Sequence, residues 1–218
     1  MFTTERELVE TLKHNYRSIC DWRIQKKHTC ILEEVDLGFG VADLVISKLY
    51  KPKSTALTLS YFDILIYKII ESDQHVSIEL LKNVTRAKEA QIRKSIDILV
   101  CEKYVNEVQS FFRINKNYKT ITSKTIAIEA KLKNWKRALE QAFRYKWFAT
   151  QSYVVLDAKY IAPALKNISS FAQSNVGLAC INLNGEITII HKPVEEKPID
   201  DKMNMLLNEY IRSALSRQ

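Results

Sequence analysis

The stretch from residue 126 to 145, IAIEAKLKNWKRALEQAFRY, joins a short apolar run to an amphipathic helix. Residues 125–130 are predicted to form a buried strand. Glu129 and Lys131, at and just past its end, lie two residues apart and therefore face the same way in extended backbone. Ala130, between them, faces the core. From residue 134 to 149, apolar side chains recur at helical spacing. A strand followed directly by a helix favours an α/β arrangement around this acid–base pair.

Two further acidic residues stand in apolar surroundings near the N-terminus. A helix is predicted from Thr4 to about Ile19, and Glu5 falls at the centre of its apolar face. Strands are predicted over residues 29–35 and 41–49, with Asp43 inside the second apolar run. An acid in such a place needs a partner or a function. Asp43 is therefore expected either to form a buried ion pair with Lys131 or to act chemically. Glu5 either acts chemically or interacts with the helix dipole.

The middle of the chain has a different pattern. Helices are predicted over residues 60–71, 77–82 and 85–100, followed by a hairpin over 104–108 and 111–114. Three helices and then a hairpin is the order of a winged helix-turn-helix. Alternating strands and helices resume afterwards. The sequence therefore predicts an α/β domain formed by residues 1–54 and 119–218, with a C-terminal helix, and a winged-helix domain inserted at 55–118.

Composition narrows the classes of function. The 218 residues include 33 Lys and Arg against 25 Asp and Glu, a net charge of +8 that favours a polyanionic partner. With four glycines there is no phosphate-binding loop and no dinucleotide-binding motif. The four cysteines lack metal-ligand spacing. No membrane span or signal peptide is expected, which predicts a cytoplasmic protein.

Several of these residues together resemble the PD-(D/E)XK nuclease superfamily. The resemblance rests on Asp43 within VADLVI, on the run from Glu129 to Lys131, and on Gln141 with Tyr145 in the following helix. It implies a restriction-endonuclease-like mixed β-sheet flanked by helices, with the winged helix inserted. The sequence departs from the pattern at Ala42, where the superfamily often has proline.

The resemblance implies an endonuclease that uses Mg²⁺ or Mn²⁺ to hydrolyse phosphodiester bonds in DNA. Asp43, Glu129 and the carbonyl of Ala130 would bind the ion, since magnesium prefers oxygen ligands. Lys131 would orient or help to deprotonate the attacking water, and Glu5 would match the acidic residue of the superfamily's first helix. The implied catalytic set is Glu5, Asp43, Glu129, Lys131 and Gln141.

Contacts to nucleic acid are expected from two regions. The helix after the Glu129–Lys131 strand and the residue just before it would contribute three residues, and the insertion would contribute basic side chains from its third helix and hairpin. The predicted contacts are Lys133, Arg137 and Tyr145 in the first region and Arg86, Lys88, Arg93, Lys94 and Arg113 in the second.

Three alternatives stay open at the level of the sequence. Residues 57–117 hold nine basic and eight acidic residues, so the insertion could bind protein instead of DNA. The nuclease fold could be catalytically weak and serve as a DNA-binding or assembly module. A winged-helix regulator with a small-molecule sensor is the third class. RNA as substrate and a homodimer are both compatible with the sequence.

Overall fold

The computed structural model of the chain describes residues 1–38, 40–50, 58–73 and 75–217. The chain divides into two compact units, each built from segments that are distant in sequence. The first unit comprises Met1–Pro52 and Ile121–Asp201, and the second comprises Lys53–Thr120 and Lys202–Gln218. The first unit is therefore interrupted by a long insertion.

The helices and strands are numbered in chain order. The helices are α1 (Glu5–Asn15), α2 (Tyr61–Ser72), α3 (Ile78–Thr85), α4 (Glu89–Cys101), α5 (Trp135–Arg144), α6 (Ala162–Leu165), α7 (Ile168–Ser174) and α8 (Asp201–Ser216). The strands are β1 (Thr29–Asp36), β2 (Val41–Leu49), β3 (Val105–Val108), β4 (Phe111–Ile114), β5 (Thr122–Lys131), β6 (Gln151–Asp157), β7 (Gly177–Ile181) and β8 (Ile187–His191). No helix in the described ranges is long and apolar enough to cross a membrane.

The first unit is organised around a mixed β-sheet. Over the described residues its strand order is β1-β2-β5-β6-β7-β8. The β1–β2, β2–β5 and β7–β8 pairs are antiparallel, whereas β5–β6 and β6–β7 are parallel. Parallel neighbours need crossover connections, which α5 supplies for the first pair and α6 with α7 for the second. This sheet with its helices confirms the predicted α/β class.

Burial of apolar side chains fixes helix α1 against this sheet. Leu8 and Leu12 are fully buried and share one core with Ile46 and Ile128. Strand β6 is buried along its whole length, as expected for a parallel strand covered on both faces. Glu5 lies one turn before Leu8, so it stands at the edge of the helix face that packs on the sheet.

The second unit contains the predicted order of three helices and a hairpin. Strands β3 and β4 pair antiparallel from Val105 opposite Ile114 to Val108 opposite Phe111. Helix α2 begins with a capping box, in which Ser60 and Asp63 each bond to the other's backbone. The helices and the hairpin enclose one apolar core, and its members include Ile64, Ile92, Leu99, Val105 and Phe112.

Helix α8 departs from the predicted domain boundaries. The sequence assigns residues 119–218 to the α/β domain, but from Lys202 onward the chain belongs to the second unit. Met205 packs into the core of that unit. The buried carboxylate of Glu209 accepts hydrogen bonds from the backbone N–H of Leu59 at 2.9 Å and from the Tyr118 hydroxyl at 2.6 Å. An amphipathic pattern reveals that a helix has a buried face, but not which core covers it.

Candidate active site

Strand pairing brings Asp43 beside the Glu129–Lys131 segment. Leu44 of β2 is paired with Ile128 of β5, so the same antiparallel register leads from Asp43 to Glu129. The backbone N–H of Ala130 donates a hydrogen bond of 2.7 Å to Oδ2 of Asp43. The Asp43 carboxylate is therefore fixed by the backbone of the strand that carries Glu129 and Lys131.

The ammonium group of Lys131 is the centre of the cluster. Its Nζ lies 2.8 Å from Oε1 of Glu129 and 3.8 Å from Oδ2 of Asp43. It also lies 3.3 Å from Oε2 of Glu5 and donates to the carbonyl oxygen of Ala130 at 3.2 Å. Four oxygens from three elements, α1, β2 and β5, thus surround one positive charge.

The charges in this cluster do not balance. Three carboxylates face one ammonium group, and Glu129 is 1% exposed. Burial raises the pKa of Glu129, and the nearby charge of Asp43 raises it further. Burial also raises the pKa of Asp43, although the Ala130 N–H and Lys131 oppose that shift. Burial would lower the pKa of Lys131, but its contacts with Glu129, Asp43 and Glu5 raise it above its usual value. The cluster therefore favours additional positive charge.

Tyr145 contacts the carboxylate oxygen of Glu129 that does not face Lys131. Its side chain is fully buried, and its hydroxyl contacts Oε2 of Glu129 and lies 2.7 Å from the carbonyl oxygen of Val41. A hydroxyl has one hydrogen to donate, so these two acceptors share it. The expectation that Tyr145 contacts DNA is wrong, because its hydroxyl bonds inside the protein. Helical spacing placed it near Gln141 but could not show which way it faces.

Three other residues with predicted roles, Gln141, Lys133 and Arg137, lie on α5 or just before it. Gln141 is one turn before Tyr145, and its buried Oε1 has no hydrogen-bond partner within the part of the chain that is described. Arg137 is exposed in the first turn of the helix, and Lys133 is exposed two residues before the helix begins. The first turn contains no acidic residue, although acids stabilise that end of a helix. This end of α5 is therefore positively charged.

An acidic cleft adjoins the cluster, because two of the three cluster carboxylates, those of Glu5 and Asp43, line it. It has a volume of about 460 Å³, and its acidic lining residues are Glu5, Glu10, Glu33, Glu34 and Asp43. Glu34 has a φ of 50°, in the left-handed region that a glutamate rarely adopts. The pairs Glu33–Leu44 and Val35–Ala42 place Glu34 opposite Asp43. Sequence reasoning missed Glu33 and Glu34, because the position of Glu34 opposite Asp43 depends on how two strands pair and not on a pattern within either strand.

A larger cleft is not part of this cluster. It has a volume of about 580 Å³ and lies between α1 and the turn that joins β7 to β8, where His14 and Gly185 line it. None of the residues whose oxygens surround Lys131 contributes to its lining. The cleft with the larger volume is therefore not the one that adjoins the carboxylates around Lys131.

In the second unit the basic residues predicted to contact DNA are exposed, but one of them, Arg93, is paired with a carboxylate. Arg93 donates to Glu89 Oε1 from Nε at 2.9 Å and from Nη2 at 2.8 Å, within helix α4. The remaining predicted contacts are Arg86, Lys88, Lys94 and Arg113, which are all exposed. Arg86 ends helix α3 with a left-handed backbone. The Arg93 pairing reduces the positive potential of this surface.

Across the described ranges, no group of three or more His, Cys, Asp or Glu side chains is arranged as a ready metal site. The carboxylates of the cluster converge on Lys131 instead. Comparisons with protein-family models, curated proteins and solved structures found no match to this chain.

Proposed function

We propose that the chain is a metal-dependent nuclease of the PD-(D/E)XK type, acting on DNA. The observation that carries the proposal is the convergence of Glu5, Asp43 and Glu129 on the ammonium of Lys131. A structural ion pair needs one carboxylate, whereas this cluster has three in a half-buried place. Buried like charges are costly unless a function or a cation requires them.

The donor set suits a divalent cation. Magnesium and manganese bind hard oxygen ligands, and magnesium keeps several waters. Asp43, Glu129 and the Ala130 carbonyl offer such oxygens around a single positive charge, the ammonium of Lys131. A bound Mg²⁺ or Mn²⁺ would neutralise charge on the scissile phosphate and polarise its phosphorus–oxygen bonds.

The protein residues then have separable tasks. Asp43 and Glu129 hold the cation and, through the Ala130 N–H and the Tyr145 hydroxyl, are themselves held in place. Lys131 keeps its proton at neutral pH, because the surrounding carboxylates raise its pKa. Its ammonium therefore stabilises negative charge on the phosphate and orients the attacking water. Glu5, which is nearly half-exposed, contacts Lys131 from α1.

Electrostatics favour one direction of approach for the strand to be cut. The acidic cleft beside Asp43 repels phosphates, whereas the beginning of α5 carries Lys136 and Arg137 without an acid. A polyanion approaching the cluster is therefore attracted to the α5 side. We assign the second unit, with its winged-helix order, to DNA binding through Lys94 and the basic residues around it.

A second candidate is a binding or assembly module with the same fold. One observation favours it: no ready group of metal ligands is present in the described ranges. The Glu89–Arg93 pair on helix α4 further favours protein over DNA as the partner of such a module. Such a protein binds DNA or another protein and cuts nothing.

One experiment separates the two candidates. The full chain is incubated with linear, nicked, branched and single-stranded DNA, and with RNA, in Mg²⁺ or Mn²⁺ and in a chelator. The nuclease cuts at least one DNA only when the ion is present. DNA binding without cleavage of any substrate in either ion supports the binding module.

A further inference from the structure

Two loops leave the sheet beside the candidate active site. Lys131 of β5 is paired with Leu156 of the parallel strand β6, so the chain leaves both strands at the same edge. Lys133 follows two residues after Lys131, a reach of about 7 Å. Tyr160 follows the end of β6. The loops meet, because Nζ of Lys133 lies 5.9 Å from the centre of the Tyr160 ring.

A second lysine approaches the same ring. Nζ of Lys159 lies 5.8 Å from the ring centre, and the Tyr160 hydroxyl lies 3.2 Å from Sδ of Met1. Nζ of Lys159 lies 3.2 Å from the same sulfur. Lys133 and Lys159 are exposed, and the ion pairs of the described residues leave both without a carboxylate partner. The half-buried ring of Tyr160 therefore lies at this edge between two exposed ammonium groups that no carboxylate of the described residues neutralises.

We propose that Lys133, Lys159 and Tyr160 bind an unpaired nucleotide of the DNA strand that enters the active site. The base stacks on the Tyr160 ring, and the ammonium groups contact the phosphates on either side. This inference rests on the proposed nuclease function and names the substrate class: DNA with a single-stranded segment beside the cleaved bond.

The aromatic ring and the two lysines favour binding of an unpaired base over a base within a duplex. Bases in a continuous duplex are stacked on both faces, so they have no face to offer an aromatic side chain. A single strand has free bases, and aromatic rings beside basic residues are the usual means of binding them. Both lysine contacts with the ring are close to the outer limit of about 6 Å for a cation–π interaction. A stacking base displaces the ammonium groups readily, and they then move to the phosphates.

The test measures binding with a chelator present, so that cleavage does not enter. Fluorescence anisotropy compares a single strand with a blunt duplex of the same sequence. Tyr160→Leu weakens single-strand binding about tenfold to a hundredfold, the range for loss of one stacked base, and leaves duplex binding unchanged. Tyr160→Phe keeps the ring and binds as the wild type does. Tyr50→Leu, which removes an exposed tyrosine from the same unit, is the matched control.

Salt dependence separates the lysines from the ring. Lys133→Gln and Lys159→Gln each reduce the slope of log K against log salt by about 0.7, the value for one phosphate contact of a single strand. Tyr160→Leu lowers affinity without changing that slope. Lys166→Gln, an exposed lysine of the same unit, leaves the slope unaltered.

Direct contact is detected by photo-cross-linking. A single strand that contains 5-iodouracil is irradiated in complex with the protein, because this base cross-links to aromatic side chains stacked on it. The cross-linked peptide contains Tyr160, and the yield falls severalfold in Tyr160→Leu but not in Tyr160→Phe. Thermal melting by circular dichroism establishes that each variant is folded.

Two results would overturn the inference: equal loss of single-strand and duplex binding in Tyr160→Leu, or cross-linking that does not depend on Tyr160. Either can occur in a protein that cuts DNA, and the expected results can occur in one that does not. The outcomes for this site and for the proposed nuclease activity are therefore independent.

Discussion

One carboxylate oxygen of Glu129, Oε2, accepts a hydrogen bond from the phenolic hydroxyl of Tyr145. The other, Oε1, lies 2.8 Å from Nζ of Lys131. The three residues are within sixteen positions of one another, on β5 and at the end of α5. A strand and the crossover helix that follows it are therefore enough to bury and orient one of the proposed metal ligands.

Removal of the Tyr145 hydroxyl is expected to destabilise the first unit. Tyr145→Phe leaves a buried carboxylate with one hydrogen bond fewer, which costs about 1–3 kcal/mol. Tyr153→Phe is the matched control, since the Tyr153 hydroxyl is buried and has no hydrogen-bond partner within the described ranges. Its loss should leave the free energy of unfolding unchanged or raise it, because a buried hydroxyl without a partner is itself destabilising. Urea denaturation of both variants measures the difference, and equal effects would contradict the supporting role of Tyr145.

The buried Glu129 carboxyl should make the stability of the protein depend on pH. Its pKa is raised above the ordinary 4.5, so the folded state holds the proton more tightly than the unfolded chain. Its contribution to stability is fully present below pH 4.5 and is lost as pH rises through the raised pKa. The stability of wild type relative to Glu129→Gln should therefore fall with rising pH.

Thermal unfolding between about pH 4 and 8 measures this dependence. Glu140→Gln, which removes an exposed carboxylate from α5, is the control and should show no such trend. A relative stability of wild type that rises with pH would mean that Glu129 is stabilised as a carboxylate in the folded state.

The first unit shows how far the sequence predicts this fold. The strand–helix pattern over residues 126–145 and the alternating elements after it were enough for the α/β class. The sequence analysis assigned helix α8 to the first unit, which was wrong. The periodicity of its apolar residues shows that one face is buried but does not show that Met205 packs into the core of the second unit. The register that sets Glu34 opposite Asp43 joins two strands, so no local pattern could reveal it.

The assignment of α8 to the second unit gives a prediction of its own. Met205→Ala creates a cavity in that core and should cost about 2–5 kcal/mol. Hydrogen exchange should accelerate in residues 58–118 and stay unchanged in 1–50 and 121–200. Ile211→Ala, which also truncates a buried residue of α8, should act in the same region. Faster exchange confined to the first unit would contradict the assignment.

The surface of helix α4 should contact DNA phosphates. Lys94→Gln should reduce the slope of log K against log salt for a duplex by about 0.9, the value for one phosphate contact. Arg93→Gln should have a smaller effect, since Glu89 already pairs with Arg93. Lys27→Gln, an exposed lysine of the first unit, is the control. An unchanged slope for Lys94→Gln would indicate that this surface binds protein.

The rate of DNA cleavage under single-turnover conditions tests the central claim most directly. The wild type is compared with Asp43→Asn, Glu129→Gln and Lys131→Ala in Mg²⁺, with Glu140→Gln as the control. We predict that the three variants lose cleavage by at least about a hundredfold while still binding DNA, and that Glu140→Gln cuts as the wild type does. Cleavage by the wild type that persists in all three variants would contradict the account, and so would the absence of any metal-dependent cleavage by the wild type.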